Sequence, residues 1–107
     1  MPHYMTQFSY TPEAWKALTQ KPTNRLDGFR ALAEKMGLKV IAAYYAFGEF
    51  DGVIIIEAPD DTSAAAAVIA AVTPGHIRSV KTTVLMTGEE TVEALRKAGS
   101  VTYQGPG

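Results

Sequence analysis

Cysteine is absent from the chain. Disulfides, thiolate metal sites, dithiol redox motifs and cysteine nucleophiles are excluded with it. A surplus of one charge is absent too: ten Lys and Arg face eleven Asp and Glu, a formal net charge of -1. A nucleic-acid binder needs excess basic residues to displace counterions from phosphates, so nucleic acid is not an expected partner. Long hydrophobic runs are missing. The longest, residues 40–47 and 64–72, fall far short of the ~20 residues that span a bilayer, so no membrane partner is expected. Residues 1–7 hold neither a basic segment nor an apolar one of the kind that directs export. The cytoplasm is therefore the expected location. The two histidines, His3 and His76, stand in none of the HxH, HxxxH or HExxH spacings that hold a metal. No glycine-rich phosphate loop occurs either. Neither a metal nor another cofactor is expected.

What is present is the material of one core. The 107 residues are 47% apolar and 20% charged, which fits a single domain. Residues 3–9 read as a strand with Tyr4, Thr6 and Phe8 on one side. Thr11-Pro12-Glu13 then opens a short helix, with threonine as cap, proline in the first turn and glutamate at the positive end. Lys21-Pro22 ends it. Residues 24–36 repeat apolar side chains at three and four (Leu26, Phe29, Ala33, Met36), the signature of a second helix. Gly37 is its stop. Residues 38–47 and 53–58 are β-branched and aromatic, and Gly48-Glu49-Phe50-Asp51 joins them as a hairpin. Pro59-Asp60-Asp61 caps an alanine-rich helix over 61–72, which Thr73-Pro74-Gly75 closes. Residues 76–86 form a fourth strand. Thr87 followed by Glu90 is a capping box for a last helix that Gly99 stops. The order β-α-β-β-α-β plus a terminal helix predicts an α+β, ferredoxin-like domain over residues 1–99. Its sheet is four-stranded and antiparallel, with both crossovers on one face. Residues 100–107 are expected to be a flexible tail.

The hairpin suggests which residues face where. A loop over 48–51 sets Phe47 opposite Gly52 and Tyr45 opposite Ile54. Ile41, Ala43, Tyr45, Phe47, Ile54 and Ile56 then face the helices, and Val80, Val84 and Met86 join the core. Ala42, Tyr44, Ala46, Val53, Ile55 and Glu57 fall on the open side. A one-residue bulge would swap these faces. The open face becomes an apolar floor with His3, Gln7, Tyr44, Glu57 and Lys81 as its polar groups. That mixture suits a small-molecule pocket or a subunit interface.

Each candidate has an ordinary reading beside its functional one. His3 near a chain end is a solvated histidine or a base, and His76 is a loop residue at a strand entrance. Glu49 and Asp51 form a solvated turn or a carboxylate acid/base pair. Gly48 and Gly52 are turn glycines. Glu57 is the most informative, because a carboxylate on an apolar strand needs a partner, a proton or water. Lys81, His3 or an arginine of another subunit is its expected partner.

Several residues together resemble the GYD-domain family, small bacterial and archaeal proteins of unassigned function. They are Tyr4 with Thr11, Arg25, Ala33-Glu34 with Gly37, Tyr45, and Gly48-Glu49-Phe50-Asp51. Glu57-Ala58-Pro59-Asp60-Asp61 and Gly75 complete the set. Phe50 stands where the family's motif has tyrosine, and Ala14 and Trp15 stand where a glycine is common. The resemblance implies kinship with the dimeric α+β barrels, in which two open sheet faces pack together. That wider group includes cofactor-free monooxygenases, isomerases, haem enzymes and ligand-sensing domains. Two functions follow. One is a homo-oligomer, a dimer or larger, that binds a small molecule or a protein through the open face. The other is a cofactor-independent isomerase or monooxygenase acting on a small organic substrate. There Glu57 or His3 would be the base, and Tyr44 or Lys81 would stabilise negative charge.

Overall fold

The computed structural model describes residues 1–106. In chain order the elements are β1 (His3–Tyr10), α1 (Pro12–Gln20), α2 (Arg25–Lys35), β2 (Lys39–Tyr45), β3 (Gly52–Glu57), α3 (Asp61–Val72), β4 (Ile77–Leu85) and α4 (Gly88–Gly99). The helix boundaries follow from local chemistry. Thr11, Asn24, Asp60 and Thr87 each lend a side-chain oxygen to an otherwise unpaired amide of the first turn. At the end of α2, Gly37 takes a φ of 73°. Its N–H donates to the Glu34 carbonyl, and the Leu38 N–H donates to that of Ala33. This is a Schellman ending, and the buried Leu38 supplies its apolar contact.

The four strands form one antiparallel sheet of order β2-β3-β1-β4, the ferredoxin-like arrangement. One face carries the core: Tyr4, Phe8, Ile54 and Ile56 meet Ala14, Leu26, Ala33, Ala64 and Ala67 from the helices. Burial there is worth about 25 cal/mol per Å² of apolar surface. The helices α1, α2 and α3 all share this cluster, so the other sheet face has no cover from them.

Three details differ from the expectation. Tyr45 opposes Gly52 and Ala43 opposes Ile54, a slip of two residues. A slip of two keeps each side chain on its face. Its cause lies in β1: Asp51 donates its N–H to the Phe8 carbonyl at 2.8 Å and accepts the Tyr10 N–H at 2.9 Å. Those bonds lengthen the connection to residues 46–51 and leave Phe47, expected inside, fully exposed. Second, the β2–β3 pairing shifts between Val40 and Ala42. Val40 packs against the core, while Ile41, the extra residue of a bulge, is 44% exposed. Third, Val80, Val84 and Met86 are exposed rather than buried; β4 is an edge strand, with β1 on one side and no strand on the other.

All of α4 is exposed, including Val92 and Leu95. The Cα radius of gyration is 17.5 Å, against about 13 Å for a compact chain of this length. No helix among the described residues is long and apolar enough to cross a membrane.

Candidate functional site

Strand register orders the open face into rows. Leu85, His3, Glu57 and Lys39 lie side by side. Thr83, Met5, Ile55 and Ala42 form the next same-face row, and Lys81, Gln7, Val53 and Tyr44 the one after. His3 and Glu57 are therefore neighbours, and Gln7, Lys81 and Tyr44 are grouped apart from them. Four residues of strand, roughly 13 Å, separate the two groups. Of the partners expected for Glu57, His3 lies opposite it and Lys81 belongs to the distant row. Lys39, which the sequence did not single out, is the cation opposite Glu57. No ion pair joins these groups. Among the described residues the salt bridge found is Arg96–Glu93 at 3.3 Å, exposed on α4 and of little energetic weight. Between the polar ends lie Met5, Ile55 and Ala42, and Val53 and Tyr44 of the far row continue this apolar band, with Tyr44 67% exposed.

The hairpin connection borders this face. Gln7, Phe47, Gly48, Glu49, Phe50 and Val53 line a shallow depression of about 290 Å³. Asp51 holds Tyr10, as described, and Glu49 is exposed.

A larger cavity, about 400 Å³, lies on the other side of the sheet, between the strands and helices α2 and α3. Phe8, Ile54 and Ile56 form its floor, and Phe29, Val68 and Ala71 belong to its walls. Tyr10, Asn24, Arg25 and His76 supply polar atoms around it. Tyr10 is the centre of this group. Its hydroxyl lies 3.5 Å from that of Tyr45, which accepts the backbone N–H of Arg25 at 3.1 Å. The Arg25 guanidinium carbon sits 5.9 Å from the Tyr10 ring centroid, and Trp15 meets the ring edge-on at 5.2 Å. Burial pushes the Tyr10 phenol well above its ordinary pKa, and the Tyr45 hydroxyl adds to the effect. At the far end of β1 the Tyr4 hydroxyl donates to Asp61 Oδ1 at 2.6 Å. That bond, with burial, raises its pKa to about 12.

The sequence did not reveal this cavity. Its signal is divided among distant segments: a strand end at Tyr10, a helix start at Arg25 and the alanines of α3. Ala64 and Ala67 bring α3 down onto the sheet. Ala70 and Ala71, one turn later, border open space instead.

A family model described as the GYD domain matches residues 4–95. The chain belongs to the GYD-domain family. No curated protein matches it. Among solved structures this GYD domain is similar to MtbAldR, at a TM-score of 0.59 and 14% identity over 80% of the chain. It is similar to FFRP-DM1 at a TM-score of 0.57 and 14% identity, over 80% of this chain and 100% of that one. An antibiotic biosynthesis monooxygenase matches at 0.50 and 14% identity, over 81% and 98% of the two chains. Identities this low establish the shared fold alone. The GYD domain spans 53% of the MtbAldR chain, about half its length.

Proposed function

We propose that this GYD domain is a small-molecule-binding homodimer whose two open sheet faces pack against each other. One observation carries the assembly: the apolar band of Met5, Ala42, Ile55, Val53 and Tyr44 lies on the face that α1, α2 and α3 leave uncovered, half-buried except for the exposed Tyr44. Extended apolar patches on a soluble chain mark contact surfaces. The total surface supports the same reading. The chain exposes 7521 Å², against roughly 5,800 Å² for a compact monomer of its mass. The excess surpasses the about 800 Å² that one partner contributes to an ordinary interface. A second copy suits the patch because a two-fold contact is self-complementary, so the same apolar band serves on both subunits. The dimeric α+β barrel implied by the family resemblance has the same plan.

Binding is favoured over turnover by the placement of the candidate bases. His3 and Glu57 lie on the open sheet row, away from the larger cavity. Sedimentation velocity tests the assembly. Wild type sediments as a dimer at micromolar concentration. Ile55→Glu places a charge in the middle of the buried band and gives a folded monomer. A wild-type monomer, or an Ile55→Glu dimer, contradicts the proposal.

A further inference from the structure

The cavity between the sheet and helices α2 and α3 lies on the opposite side from the proposed interface. We infer that it is a binding site for a small organic acid, an apolar ring or branched skeleton carrying one anionic group. The skeleton lies on Phe8 and Ile54, and the anion meets Arg25. This specifies the ligand half of the proposed function and is independent of the assembly half.

Three observations converge. The volume of about 400 Å³ falls within the ordinary range for ligand clefts, about 300–1,000 Å³. Protein interiors are otherwise close-packed, and voids larger than a water molecule are few. Here the wall residues Ala70 and Ala71 are small where longer side chains would fill the space.

The second observation is charge. No aspartate or glutamate lines the cavity, whereas Arg25 and His76 do. Among the described residues Arg25 has no carboxylate within salt-bridge distance. Its guanidinium rests over the Tyr10 ring, a contact that leaves its N–H donors free for a planar anion.

The third is position. Arg25 is the first residue of α2, where the helix dipole disfavours a cation. An anion beside it reverses that penalty. A guanidinium also binds a carboxylate through two parallel hydrogen bonds, which an ammonium does not match.

Two fluorescent probes test the site on the full chain. One is 1-anilinonaphthalene-8-sulfonate, an aromatic anion. The other is N-phenyl-1-naphthylamine, its uncharged counterpart. Both bind saturably to wild type. Arg25→Gln weakens the anion by about tenfold or more, the value of a charge-assisted hydrogen bond, and leaves the neutral probe within about threefold. Ala71→Phe fills the cavity and weakens both probes. Ile55→Glu, on the other sheet face, changes neither, so a failed dimer is distinguished from a failed site. Equal anion affinity in wild type and Arg25→Gln overturns the inference. So does probe binding that survives Ala71→Phe or is lost in Ile55→Glu. If Ala71→Phe does not fold, the Arg25→Gln comparison decides alone.

Discussion

Gly52 and Phe8 show how one residue pair fixes the middle of the sheet. They are cross-strand partners, and a Cβ on Gly52 would overlap the Phe8 ring. Phe8 also meets the Tyr10 ring at 5.3 Å, so a shift of the ring to make room would disturb that contact. Gly52→Ala therefore lowers stability by about 1–3 kcal/mol, the usual cost of overpacking, measured by urea denaturation. In the sequence Gly52 reads as a turn glycine. Its true role depends on a residue of another strand, which no local pattern reveals. Tyr4 gives a pH prediction. Its folded-state pKa is about 12, above the ordinary ~10 of an unfolded tyrosine. The protonated phenol is the form the fold favours. Its contribution is complete below pH ~10 and is lost as the pH rises through about 12. Tyr4→Phe should lower the urea midpoint at pH 8, and the gap from wild type should narrow as the pH approaches 12. A gap that stays constant contradicts the role given to the Asp61 bond.

Among the elements, the helices are legible and the hairpin is not. Thr11, Asp60 and Thr87 cap where the sequence places them, and Gly37 and Gly75, expected as stops, adopt positive φ, whereas Gly99 is the last residue of α4 with Ser100 as its cap. These are interactions within a few residues of chain. The hairpin slip and the Ile41 bulge are set by bonds from Asp51 to β1 and by pairing across β2 and β3. Such choices belong to the assembled sheet. Likewise Val80 and Val84 belong to an edge strand, and edges are a property of strand order. The last helix offers a test of local stability. In α4 the Glu90 N–H donates to Thr87 Oγ1 at 3.0 Å, and Glu90 Oε1 accepts the Thr87 N–H at 2.9 Å. These bonds hold the Glu90 carboxyl below its ordinary pKa. Thr87→Ala should remove about 1 kcal/mol of helix stability. Amide exchange across α4 should then accelerate about fivefold, with the β1 and β3 amides unchanged. Equal acceleration in the sheet would mean that α4 and the core unfold together.

At the scale of the molecule, element order alone predicts the ferredoxin-like sheet, and β2-β3-β1-β4 is that sheet. The five polar candidates do share the open face, as alternation along a strand requires, but they divide into two groups rather than one. The larger cavity lies behind the sheet and leaves no mark in the sequence, because small side chains such as Ala70 and Ala71 open the space. The apolar band of the open face, the exposed α4 and the excess surface are the grounds for the proposed dimer. Native mass spectrometry at low micromolar concentration tests that claim most directly. The account predicts a species at twice the 11.5 kDa chain mass, reduced to the single-chain mass by Ile55→Glu. A wild-type spectrum showing the single chain alone would contradict it.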